Sequence, residues 1–181
     1  ENTPEVQEEP RKRVSKEKPV SSKHYTGLDA AKVQPVAEAL AVLLADFQVY
    51  YANLRNFHWN VQGSNFYALH AEFERLYDDA AEKADEIAER LLQLDVTPEH
   101  RPSKYLQVSQ IKENEVVHCG QECLTQVLEM VKTLMAQERA VMAAAAEAGD
   151  ESSNALMSDY LREQEKLVWM LTATLAKECS K

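Results

Sequence analysis

Between Ala31 and Val61 the apolar residues Val36, Leu40, Leu43, Leu44, Phe47, Tyr51 and Leu54 recur mostly in steps of three and four. That spacing lays one apolar stripe along a helix and commits the segment to α structure. The stripe resumes at Phe73, Leu76, Tyr77, Ala80, Ala84, Ile87, Leu91 and Leu94, predicting a second helix from about Phe66 to Leu94. Gly63 suits the residue just past the first helix, and Ser64 or Asn65 suits the cap of the second. A third helix is expected from about Gly120 to Ala148, ended by Gly149, with Asp150 to Ser153 as the turn. A fourth follows from about Ser153 to Ala176, with Leu156, Tyr160, Leu161, Leu167, Val168 and Leu171 facing the core. The segment from Val96 to Gln110 contains Thr97-Pro98 and Arg101-Pro102 and reads as a connection, with a short helix over Ser103 to Ser109. With only four glycines and six prolines in 181 residues, the expected class is all-α: one domain of four helices with a long middle connection.

The two first helices carry a distinctive set of polar residues. His58, His70, Glu74, Asp85 and Glu89 fall at helical spacings within 32 residues. Imidazole with carboxylate, and no thiolate, is a ligand mixture that suits iron. At about 100° per residue, His70, Glu74, Asp85 and Glu89 share one helix face, within about 100° of one another. They cannot share one ion within one chain, because 15 positions at about 1.5 Å each separate His70 from Asp85 by roughly 22 Å. Metal ligands sit about 2 Å from the ion. A second copy of the helix lying antiparallel about a two-fold axis brings His58, His70 and Glu74 of one subunit opposite Asp85 and Glu89 of the other, and creates two such sites. The same residues also fit a solvated acidic face with two incidental histidines.

The run His58-Trp59-Asn60-Val61, Gly63, Asn65-Phe66, Leu69-His70, followed by Phe73-Glu74, Leu76-Tyr77-Asp78 and Asp85-Glu86-Ile87-Ala88-Glu89-Arg90, resembles the Dps family. These are the miniferritins named as DNA-binding proteins from starved cells. The resemblance covers roughly Leu28 to Lys177 and implies a ferritin-like four-helix subunit assembling as a hollow homododecamer. It further implies a ferroxidase site between two-fold-related subunits, with ligands on His58, His70, Glu74, Asp85 and Glu89. The family commonly has Asp where this chain has Glu74, so the carboxylate here reaches one bond further. The resemblance implies iron as the metal handled, hydrogen peroxide as the preferred oxidant over O2, and ferric mineral stored in the cavity. Pores lined by acids near the start of the last helix are also implied, for which the candidates are Glu147, Asp150, Glu151 and Asp159. Carboxylates there are equally favoured by the helix dipole alone.

An in-bundle di-iron site is the competing arrangement, and it needs a Glu-x-x-His on each of two helices. The chain offers one such motif, Glu115 to His118, and no histidine in the fourth helix. Trp59, beside a ligand, is expected to pack or to give an electron to a stray oxidant. Asp78, Asp79 and Glu82 are acidic neighbours that guide iron or solvate the helix.

Residues 1–24 differ in composition from residues 25–181, the ferritin-like domain. They lack Leu, Ile and, up to His24, any Phe, Trp or Tyr, and hold three prolines, so a disordered tail is expected. Arg11, Lys12, Arg13, Lys16, Lys18 and Lys23 stand against Glu1, Glu5, Glu8, Glu9 and Glu17 in a chain of net charge −10. An acidic shell repels DNA, so any DNA partner is expected at this basic run, with avidity from many tails and a steep salt dependence. A solubilising tail is the alternative. Cys119 and Cys123, four apart, are too far for an easy disulfide. They are expected to be structural, with a heme or thiol-metal site as the alternative, and Cys179 lies near the chain end. Three cysteines and no apolar signal core point to a reducing cytoplasm. No run approaches about 18 apolar residues, so no membrane span is expected. The first residue is Glu1 and not Met, so the encoded protein is expected to begin upstream.

Overall fold

The computed structural model describes residues 20–176. Six helices follow in order: α1 Ser22–Thr26, α2 Ala30–Asn60, α3 Phe66–Gln93, α4 Pro102–Val108, α5 Gly120–Ala148 and α6 Glu151–Leu175. Among the described residues there is no strand, only an isolated bridge between Gln62 and Cys119, and no helix is long and apolar enough to cross a membrane.

Local chemistry sets the helix ends. Asp29 caps α2, its carboxylate accepting the N–H groups of Ala31 (2.9 Å) and Lys32 (3.2 Å), which satisfies two donors that the first turn leaves unpaired. Gly63 turns the chain from α2 into α3 at φ 112°, a conformation only glycine adopts without strain. Asn65 is the N-cap of α3, although its side chain makes no capping bond. Gly149 ends α5 at φ 67°, and Asp150 starts α6 by accepting from Ser153 N–H at 3.1 Å. Helix α6 therefore begins at Glu151, two residues earlier than the pattern suggested.

The core is built from the expected stripes. Val36, Leu40, Leu43, Leu44, Phe47 and Leu54 of α2 are buried against Phe73, Leu76, Ala80, Ala84, Ile87 and Leu91 of α3. Phe57 and Phe73 meet with ring centroids 5.5 Å apart, and Phe47 meets Tyr160 of α6 edge-on at 6.0 Å. The connection from α3 to α5 must travel the length of the bundle, because Asn53, late in α2, bonds the Lys112 carbonyl while Ala39, early in α2, is met by Gln137. Asp46, buried in α2, holds this crossing: it accepts from Ser109 Oγ (2.9 Å) and from the Gln110 N–H (2.6 Å). Two antiparallel hairpins joined by one long connection make a ferritin-like bundle.

One element has no counterpart in the apolar pattern. Helix α1 occupies the end of the segment expected to be tail. Asp95, just past α3 and at φ 56°, accepts from Ser21 Oγ (2.6 Å), Ser22 N–H (2.9 Å) and Lys23 N–H (3.3 Å).

Candidate metal centre

The hairpin of α2 and α3 brings His58, in the last turn of α2, against His70, in the second turn of α3. Each ring Nδ1 lies 2.7 Å from the backbone carbonyl oxygen of the other residue. A carbonyl only accepts, so both Nδ1 atoms carry a proton, and in the neutral imidazole the lone pair that can meet a metal falls on Nε2. Anchoring one ring N–H on a backbone carbonyl is how metal-ligating histidines are generally oriented. The two rings stack at 3.7 Å between centroids and 18° between planes. Phe66 stacks on His70 (5.0 Å), and Tyr77 meets His58 edge-on (5.3 Å). His58 is only 9% exposed, and neither ring can turn without losing both a hydrogen bond and its aromatic neighbours.

The carboxylates are placed differently. Glu74, Asp85 and Glu89 are all exposed on α3, and among the described residues none of them enters an ion pair with another side chain. Glu74 lies one turn beyond His70, while Asp85 and Glu89 occupy the far end of the helix. Among the described residues no three His, Cys, Asp or Glu side chains converge in one chain. Each chain thus carries His58, His70 and Glu74 toward one end of α3 and Asp85 and Glu89 toward the other.

Asp85 lines an open groove of about 360 Å³ with Gln48, Tyr51, Glu99, His100 and Tyr105. Tyr51 packs edge-on against Tyr77 at 5.8 Å, which ties this groove to the histidine pair. Glu99 is held well below the usual carboxylate range by the Arg101 guanidinium and by the N–H groups of Arg101 and His100. Trp59 is 62% exposed and lies under Arg55, whose Cζ is 4.4 Å from the ring centre. Asp78 and Glu82 are exposed, whereas Asp79 pairs with the buried Lys83, which also donates to Glu163 at 2.7 Å.

The four pore candidates separate. Glu147 and Glu151 are exposed on either side of Gly149, and Asp159 is exposed and pairs with Arg162 at 2.9 Å. Asp150 is 1% exposed. Its carboxylate is taken up by Arg90 (2.6 Å), by Ser153 Oγ (2.6 Å) and by the cap of α6. Asp150 therefore presents no charge to the surface of the subunit.

His118 is exposed and bonds the Asn60 carbonyl through Nδ1 at 2.7 Å. It precedes α5, and Glu115 is exposed in the same connection. Cys119 is exposed; Cys123 is buried, and burial pushes its thiol up to about 11, which makes it inert at neutral pH. Of the basic run, Lys23 lies in α1, and Arg11, Lys12, Arg13, Lys16 and Lys18, with Cys179, lie outside the described residues.

Five buried polar residues escaped the reading of the sequence: Asp46, Asn53, Lys83, Glu138 and Gln164. Glu138 follows Val131, Leu134 and Met135 and precedes Val141 at core spacing, so its position on the apolar face of α5 was a signal available in the pattern.

The chain is similar over most of its length to known proteins of one family. The ferritin-like domain family matches residues 37–179. A protein of Porphyromonas gingivalis named DNA protection during starvation protein is 50% identical over 152 residues, covering 84% of this chain and 96% of the relative. The crystal structure of the Dps protein of Vibrio cholerae O1, described as a member of a superfamily of ferritin-like diiron-carboxylate proteins, is 48% identical with a TM-score of 0.81. It covers 82% of this chain and 94% of its own. Dps from Staphylococcus aureus is 30% identical with a TM-score of 0.77, covering 80% of this chain and 97% of its own. With its helical hairpin, its histidine pair and these relatives, the chain belongs to the Dps family of ferritin-like proteins.

Proposed function

We propose that this protein oxidises Fe(II) at a site shared between two subunits and stores the product as ferric mineral inside a hollow dodecamer. The observation that carries this reading is the reciprocal bonding of His58 and His70, which orients both rings through Nδ1 and leaves both Nε2 atoms free of hydrogen bonds within the described residues. Fe(II) is the substrate. His58, His70 and Glu74 of one subunit bind it together with Asp85 and Glu89 of a two-fold neighbour. Hard carboxylate oxygens stabilise Fe(III) over Fe(II), which favours loss of an electron from the bound ion. With hydrogen peroxide as oxidant, two Fe(II) each give one electron, the O–O bond breaks, and two protons complete two waters. Taking both electrons together avoids release of hydroxyl radical; O2 is the slower oxidant. Exposed Glu147, Glu151 and Asp159 near the α5–α6 turn attract the incoming cation by field. The setting is the cytoplasm.

The test is Fe(II) oxidation by stoichiometric peroxide in the parent and in His58→Ala/His70→Ala, with both sized by light scattering. Loss of fast oxidation with an intact dodecamer is the expected result. Oxidation at the parent rate in the double variant refutes the assignment.

A second reading, DNA binding, is supported by the name of the Porphyromonas gingivalis relative and by the basic residues Arg11, Lys12, Arg13, Lys16, Lys18 and Lys23. Full-length protein is expected to retard DNA in low salt, and protein lacking residues 1–19 is not. Equal retardation by both sinks this reading.

A further inference from the structure

In the middle of the bundle, Glu138 of α5 faces Gln164 of α6. Glu138 is fully buried and Gln164 is 6% exposed. Gln164 Nε2 donates to Glu138 Oε1 at 2.6 Å. The second carboxylate oxygen, Glu138 Oε2, and the amide oxygen, Gln164 Oε1, are buried with no hydrogen-bond partner among the described residues. Two orphaned acceptors on one side-chain pair is an unusual arrangement, because buried polar atoms are nearly always satisfied. If Glu138 were ionised, both would be acceptors with nothing to accept, in a site shielded from water.

One proton resolves both vacancies. A protonated carboxyl offers one donor and one acceptor, and a primary amide offers the complementary set. We infer that Glu138 is held as the neutral acid, donating its Oε2 proton to Gln164 Oε1 while accepting from Gln164 Nε2, and that this two-bond ring is a pH-sensitive lock between α5 and α6.

The charged and titratable groups around the pair do not favour ionisation enough to prevent this. From α3 the charge of Lys83 favours ionisation of Glu138, but its ammonium is already shared between Asp79 and Glu163. On α5, Arg139 is exposed and pairs with Glu165 at 3.3 Å. Tyr50 of α2 and Tyr160 of α6 also feel Glu138, and burial holds both phenols in the neutral form. Tyr160 is occupied in donating to Glu86 at 2.6 Å. Burial pushes the Glu138 carboxyl up to about 7 against an ordinary value of 4.5. A group whose proton is held more tightly in the folded chain stabilises most fully below its unfolded value. That contribution is lost as pH rises from about 4.5 through about 7.

Glutamine at position 138 copies the protonated acid, with an N–H donor where the O–H stood, but cannot ionise. The experiment compares the melting temperature of the assembled parent and of Glu138→Gln from pH 5 to pH 8.5. The two should melt together at pH 5, and the variant should melt several degrees higher at pH 8.5. Alongside, infrared difference spectra of the parent should show a protonated carboxyl carbonyl at pH 5.5 that fades toward pH 8 and is missing from the variant. The infrared titration of the parent stands even if the variant fails to fold. An offset in melting temperature that is the same at both pH values, with no carboxyl band lost, overturns the proposal. So does a pH response abolished by a chelator, which would assign the two oxygens to a bound cation.

Discussion

Arg90 of α3 and Asp150 at the start of α6 meet 2.6 Å apart, almost fully buried, although 60 residues separate them in the chain. The guanidinium also donates to Ser153 Oγ at 2.9 Å and to Gln93 Oε1 at 2.7 Å. One arginine thus ties the end of the first hairpin to the start of the last helix. Removing one partner of a buried pair leaves the other charge uncompensated, at about 3–5 kcal/mol. Arg90→Ala should therefore lower the denaturation free energy by that amount. Replacing both residues with apolar side chains of similar volume should cost far less, and denaturant titration of the three proteins distinguishes the cases. Asp150→Asn is likewise expected to act through stability rather than through iron entry.

Gly63 sits at φ 112° between the two histidine-bearing helices, with open space around the position of a Cβ. The penalty for alanine there is therefore backbone strain, about 1–3 kcal/mol for a conformation of this kind. If the strain is relieved by shifting the turn, the His58 and His70 bonds lengthen. Gly63→Ala should thus melt lower and oxidise Fe(II) more slowly, although it touches no ligand. Parent-like melting and oxidation together would contradict this.

Asp46 is the single carboxylate that receives Ser109 and Gln110. Burial raises its proton affinity, and the hydrogen bonds from Ser109, Gln110 and Ile111 pull it back. Asp46→Ala leaves buried N–H groups without an acceptor, at about 1–3 kcal/mol. Hydrogen exchange should accelerate at Gln110 and Ile111 while the core of α3 stays protected.

The helices were legible because their stripes are long and regular: α3 was expected from Phe66 to Leu94 and runs Phe66–Gln93. Helix α1 was not, since Ser22–Thr26 has no apolar face and forms around a carboxylate more than 70 residues away. The histidine and carboxylate spacing could be read along one helix. The partner of Asp150 could not, because an acid at a helix start looks the same whether it faces solvent or an arginine from another hairpin.

Asp95 gives α1 a pH dependence of its own. Its carboxyl is lowered to about 2, first by the Ser21 hydroxyl and then by the Ser22 N–H. A group whose folded value is depressed stabilises above its unfolded value of 3.8 and loses that contribution as pH falls through about 2. Docking of α1 should therefore be constant from neutral pH to about 4 and weaken progressively between about 4 and about 2. Asp95→Ala should undock it at neutral pH, with faster exchange at the Ser22 and Lys23 amides. Unchanged exchange in that variant would rule out the anchor.

The mutual bonding of His58 and His70 has a consequence for how a shared site is assembled. Because each imidazole is oriented by the other residue's backbone, the two nitrogen donors take their final aim when the hairpin closes, before any second subunit arrives. In the shared site proposed above, association would add only carboxylates to donors already in place, so little side-chain ordering would remain to oppose iron binding at the moment of contact. On that proposal a lone subunit would be a socket cut to shape and lacking only its plug.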